Sequence, residues 1–164
     1  MLAVNQLNGF GCRRTSGGCT CTPAYDSGDR TGSITVTTDL ALGGAGGIAA
    51  WVNGLNDLTM WFISQSVAGK YIKFDFGAAT KLTEATSTQD NATAEGTWKW
   101  QYSIDDSTWV DVGGSFALGG ATSVTHTSLN GNEVGARYWR LLGVSGSSSS
   151  SPYQYEITFK RCTC

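Results

Sequence analysis

Between Lys70 and Gly77 the chain reads Lys-Tyr-Ile-Lys-Phe-Asp-Phe-Gly, with Ile72, Phe74 and Phe76 at every second position. Tyr71, Lys73 and Asp75 fall between them. A two-residue period belongs to a β-strand, whose side chains point alternately to opposite faces, so one face of this segment is expected in a core. Such a strand needs a second layer over its apolar face, and the chain supplies further strands of similar length. Ile34 and Val36 alternate with Ser and Thr between Ser33 and Thr38. Met60 to Val67 reads as a strand leading into the central one. Trp98, Trp100 and Tyr102 alternate with Lys99, Gln101 and Ser103, and Asp105-Asp106-Ser107 is turn chemistry before a return strand at Trp109, Val110 and Val112. Lys81 to Gln89 and Ser123 to Leu129 are polar, Thr-bearing strands, and Arg137 to Val144 and Tyr153 to Lys160 complete the set. Ala49 to Asn53 reads as a short strand or one turn of helix, and Phe116 to Gly120 as a loop with an apolar plug. Ile72, Phe74 and Trp100 are the expected core, joined by Tyr71, Phe76 or Trp109, while Trp51 and Trp139 read as structural.

Composition agrees with an all-β chain. Hydrophobic residues make up 40% of the 164 positions, enough for a core, while 22 glycines and only 2 prolines suit short turns between strands. A net charge of -2 offers no electrostatic footprint for nucleic acid. No run approaches the ~20 apolar residues of a membrane helix, so neither nucleic acid nor membrane insertion is expected. Met1 to Phe10 lacks the basic start and apolar run of a secretory leader.

Catalytic patterns fail one by one. His126 is the single histidine, flanked by Thr125 and Thr127, with nothing to activate and no second imidazole for a metal. Asp105, Asp106 and Asp111 have hairpin spacing rather than that of a working carboxylate pair. Gly43 to Gly47 lacks the Lys and the following helix of a phosphate loop. The expectation is a protein without enzymatic activity.

The 5 cysteines stand only at the two ends: Cys12, Cys19 and Cys21, then Cys162 and Cys164. Inert buried thiols would be scattered among the strands, so this placement suggests that the ends meet. Disulfides, a zinc clip and free thiols are all open. Disulfides are favoured, because structural zinc ligands are usually spaced by two or more residues and each Cys-Thr-Cys is spaced by one. The odd count leaves one thiol over, and Cys12 is the natural candidate for a bond between molecules.

Three pieces in order carry a family resemblance: Trp61-Phe62 with Tyr71 to Gly77, Trp100 to Trp109, and Ala136-Arg137-Tyr138-Trp139-Arg140-Leu141. From about Thr31 to Lys160 the chain resembles the discoidin family, also called the coagulation-factor type C or galactose-binding-like family. The resemblance implies an eight-stranded antiparallel jelly-roll sandwich at residues 31–160, with an irregular arm at 1–30 and a Cys-Thr-Cys tail at 161–164. It implies ligand recognition by loops at one end, for which Asn91, Glu95, Trp98, Phe116 and the loop around Ser147 are the candidates. It also implies a calcium site at the positions of Asn53, Asn56, Asp57, Thr59 and Glu156, although Asn53 stands where the family usually has Asp.

The chain is similar to free-standing modules on bacteriophage particles. The expectation is a virion surface component, a decoration, neck or tail-fibre element, assembled in the host cytoplasm and later exposed outside. Its partners would be other virion proteins, copies of itself and host-surface glycans. A purely structural virion protein without a sugar ligand, and a secreted bacterial lectin-like module, are the alternatives.

Overall fold

The computed structural model describes residues 22–129 and 135–163. The strands are β1 (Thr22–Tyr25), β2 (Thr35–Thr38), β3 (Leu42–Gly43), β4 (Trp61–Phe62) and β5 (Gln65–Ser66). The long ones follow: β6 (Tyr71–Thr80), β7 (Leu82–Gln89), β8 (Thr97–Ser103), β9 (Val110–Ala117) and β10 (Val124–Ser128). Then come β11 (Ala136–Ser145), β12 (Ser147–Ser148) and β13 (Gln154–Thr163). One 3-10 turn, Ile48–Val52, stands between β3 and β4.

Two antiparallel sheets face each other. One has four strands in the order β1-β13-β7-β10, the other five in the order β2-β6-β11-β8-β9. β6 is an interior strand of the second sheet, held by β2 on one side and by the central β11 on the other. Its alternation has the expected result: Ile72, Phe74 and Phe76 are buried, and Tyr71, Lys73 and Asp75 are partly exposed. Phe159 of β13 closes the sandwich from the opposite sheet, with its ring 5.0 Å from Phe74, 5.2 Å from Phe76 and 6.1 Å from Trp100. Trp51 plugs one side, 5.7 Å from Phe62 and 6.2 Å from Phe74. Aromatic rings bury large apolar areas and pack edge-to-face at a slight further gain, so this cluster carries much of the core energy.

Several expectations change once the strands are placed. Trp109 is not core: its ring lies on the outer face of the sheet, 3.9 Å beneath the Arg140 guanidinium. Tyr71 likewise stays out of the buried cluster. Phe116 belongs to β9, opposite Trp98, and Leu118 is the buried plug instead. Met60 to Val67 is broken into β4 and β5 because the Ser64 N–H turns away to the Ser150 hydroxyl, at 2.9 Å. The sandwich also reaches beyond residues 31–160. β1 adds an edge strand to β13, with Tyr25 opposite Lys160 and Thr22 opposite Thr163, so the sandwich takes in part of the arm and most of the tail. Among the described residues no helix is long and apolar enough to cross a membrane.

Candidate functional site

Six connections gather at one end of the sandwich, each tied to its neighbours by backbone bonds. The β2–β3 connection joins the β4–β5 segment through Ile63 N–H to Ala41 O, at 3.0 Å. The β5–β6 turn joins β11 and the segment after it through Val67 N–H to Gly146 O and Gly69 N–H to Gly143 O. The 90–96 loop is bonded to the segment after β9 through Glu95 N–H to Leu118 O and Gly120 N–H to Ala92 O. It is bonded to the residue just before the last strand through Asp90 N–H to Tyr153 O, at 3.0 Å. Close approach is required at Gly143, where an added Cβ would sit 1.9 Å from the Val67 carbonyl oxygen.

Within this end, Trp61 and Tyr153 form a half-buried aromatic pair, their rings 5.2 Å apart and nearly perpendicular. Two glycines make room for the Trp61 ring, since a Cβ on Gly43 would lie 2.2 Å from it. Hydrogen-bonding groups stand beside the pair. Asp90 accepts from the Tyr153 N–H at 3.0 Å and from the Asn91 amide at 2.8 Å. The Asn91 carbonyl oxygen in turn accepts the Thr93 N–H at 2.9 Å, which holds the side chain in one orientation. Ser147 and Ser150 are exposed on the neighbouring loop. A partly exposed aromatic surface flanked by oriented amide, carboxylate and hydroxyl groups suits a polyol with one apolar face.

The residues expected from the sequence divide here. Asn91 and Ser147 are accessible at the loop end, and Phe116 is half-buried against the core. Glu95 and Trp98 do not belong to an exposed surface, because both are fully buried. Trp98 alternates into the core and donates its indole N–H to the Glu95 backbone carbonyl at 2.7 Å. The Glu95 carboxyl lies beneath the serine-rich loop and accepts the Ser149 N–H at 3.1 Å, while its other oxygen has no hydrogen-bond partner. Burial pushes this carboxyl up to about 8, against the smaller opposing effect of the Ser149 bond. The aromatic pair that does reach the surface was missed. Trp61 sits in a two-residue strand and Tyr153 just before β13, where no period marks an exposed face.

The positions expected to hold calcium do not assemble a cage. The Asn53 carbonyl oxygen accepts the Leu55 N–H at 2.8 Å. The Asp57 carboxylate takes the Thr59 hydroxyl at 2.6 Å and the Asn53 amide at 3.5 Å. Asn56 is exposed, and Glu156 is paired with Arg30 while also accepting the Gly54 N–H at 2.9 Å. Calcium asks for six to eight oxygens, and the side chains of Asn53, Asp57 and Glu156 already answer amides, a hydroxyl and a guanidinium. The residues present do not fit the ion. Among the described residues, no cluster of three His, Cys, Asp or Glu could hold a metal.

His126 lies exposed on β10 with its Nδ1 2.9 Å from the Thr86 hydroxyl. Asp105 caps the β8–β9 hairpin, accepting the Thr108 and Ser107 N–H groups at 2.8 and 2.9 Å, and these bonds hold its carboxyl well below the usual range. Both are structural placements. Cys12, Cys19, Cys21 and Cys164 lie outside the described residues, and Cys162 is described only through its backbone.

The F5/8 type C domain model matches residues 33–156 of the chain. No curated protein matches it. Among solved structures, the family 32 carbohydrate-binding module of AlyQ, in complex with 4,5-unsaturated mannuronic acid, superposes with a TM-score of 0.55 at 22% identity. That alignment covers 76% of this chain and 92% of the module. The family 32 module of NanJ from Clostridium perfringens, in complex with galactose, gives a TM-score of 0.56 at 9% identity, over 83% of this chain and 98% of that one. A module of a family 89 enzyme from the same organism, in complex with GalNAc-β-1,3-galactose, gives 0.57 at 11% identity, over 82% and 99%.

Proposed function

The chain belongs to the F5/8 type C domain family, and from that premise we propose that it is a non-catalytic carbohydrate-binding module which takes sugars at the Trp61–Tyr153 end. The observation that carries this reading is the half-exposed aromatic pair with oriented Asn91 and Asp90 beside it. Sugars present an apolar face of C–H groups rimmed by hydroxyls, so a ring supplies stacking and the amide and carboxylate supply directional hydrogen bonds. Support comes also from the sugar complexes of the AlyQ and NanJ modules, which share the fold. Calorimetric titration with galactose, GalNAc-β-1,3-galactose and unsaturated mannuronate, followed by a glycan array, tests it. Saturable binding to at least one sugar is expected. Trp61→Ala and Asn91→Ala should each weaken it about tenfold, the loss of one good contact. Asn91→Ala, at a loop surface, keeps the test open if the Trp61 variant fails to fold. An array without a single binder overturns the reading.

In the finer reading, the module is a surface component of a bacteriophage particle, presenting this end to host glycans and tied in place through its cysteines. What supports a tie between the chain ends is that β1, the first described strand, pairs with β13, the last, with Thr22 opposite Thr163.

A further inference from the structure

The turn at residues 53–59 is covered by the chain segment that follows β1. Gly54, at φ +74°, lies so close to Gly28 that an added Cβ would come within 2.3 Å of the Gly28 carbonyl carbon. The Arg30 N–H donates to the Val52 carbonyl at 2.9 Å, and its side chain is only 4% exposed. From there the guanidinium pairs with two carboxylates at once, hydrogen-bonded to Asp26 and ion-paired with Glu156. Asp26 is itself anchored, accepting the Phe159 N–H at 2.9 Å and pairing with Arg161 at 2.9 Å. The second Glu156 oxygen holds the Gly54 N–H of the covered turn. Two carboxylates therefore meet two guanidiniums, and one of those guanidiniums is buried between them.

We propose that Arg30 is a built-in cation: its guanidinium occupies the role at Glu156 that a divalent ion would otherwise fill, and it makes the module independent of calcium. A buried Glu156 needs a positive partner, because an uncompensated charge in a low-dielectric site is strongly disfavoured. A fixed guanidinium supplies that charge with a planar set of donors matched to carboxylates. It also repels any dication from the same carboxylates. Asn53 fits this arrangement. A turn that binds no ion has no use for a further carboxylate there, and an amide can accept from Leu55 while donating to Asp57. The segment from Asp26 to Arg30 is thus part of the working fold, the strap that carries the cation in.

Thermal melts of the wild-type protein in millimolar calcium and in excess EDTA should coincide. Terbium, a luminescent calcium surrogate, should show no sensitised emission that calcium displaces. Arg30→Gln should lower Tm by roughly 10 °C, the scale of a broken buried ion pair in a chain of this size. If that variant does not fold, Arg30→Met with Glu156→Leu removes the charges together and should recover a folded protein. A calcium-dependent rise in the wild-type Tm, or calcium-competed terbium emission, overturns the proposal. So does an Arg30→Gln variant that melts with the wild type. Sugar binding plays no part in these readouts, so they stand or fall apart from the carbohydrate reading.

Discussion

Glu95 shows what a single buried side chain does to stability. Its carboxyl is raised from 4.5 to about 8 because burial penalises the charged form. Below about pH 4.5 the carboxyl is protonated in folded and unfolded chains alike, and the folded state carries no penalty. As pH rises from there toward 8, the unfolded chain releases this proton while the folded one keeps it, so stability falls. Above about 8 the penalty is complete. Glu95→Gln keeps an acceptor for the Ser149 N–H and has no charge to bury. Its melting temperature, followed between pH 5 and pH 8.5, should decline less than that of the wild type, with the two curves converging at the acid end. Parallel curves would mean that Glu95 stays ionised in the fold.

At the scale of elements, the β8–β9 hairpin divides its tryptophans by face. Trp100 of β8 points between the sheets, 2% exposed, and gives its indole N–H to the Thr127 hydroxyl at 2.9 Å. Trp109, beyond the turn, stacks under Arg140 on the outer face. The register is regular beside the turn, with buried Val112 opposite Trp100, so Trp109, an odd number of residues before Val112, falls on the other face. Trp100→Ala should cost roughly 3–5 kcal/mol in urea unfolding, the range for a deleted core aromatic. Trp109→Ala should cost only about 1 kcal/mol, the scale of an exposed cation–π contact. Equal costs would reverse the face assignment of the hairpin. Turn geometry matters in the same element: Asp106 sits at φ 60°, a conformation eased there by its short polar side chain.

Over the whole molecule, the first and last described strands, β1 and β13, are paired, and Asp26, Arg30 and Arg161 add charge to that seam. A disulfide across it would close a loop of ~140 residues and restrict the unfolded chain by roughly 4–5 kcal/mol in the loop-entropy picture. Peptide mapping without reduction should recover Cys19 or Cys21 linked to Cys162 or Cys164 in oxidised protein, and reductant should lower Tm. Non-reducing gels should show higher-mass species that Cys12→Ser diminishes. Five freely alkylated thiols in air-oxidised protein would rule out the linked ends, and stoichiometric zinc would replace them with a metal clip.

Amino-acid order alone determined the strand class and most of the core, because burial of one sheet face writes itself into the chain as alternation. Ile72, Phe74, Phe76 and Trp100 could be assigned on that ground. The turns were legible too, since Asp105-Asp106-Ser107 needs no distant partner to bend. Only the tertiary structure decided what surrounds the carboxylates and which rings reach water. Glu156 reads as an ion ligand until Arg30, far away in sequence, is seen against it. Glu95 reads as a polar loop residue until the 145–151 loop covers it. Trp61 and Tyr153 come together from segments more than ninety residues apart, through an isolated bridge that leaves no periodic trace. Periodicity reports the environment of a strand face, an average over neighbours. A site depends on which particular neighbours arrive, and that is set by the closure of the sandwich.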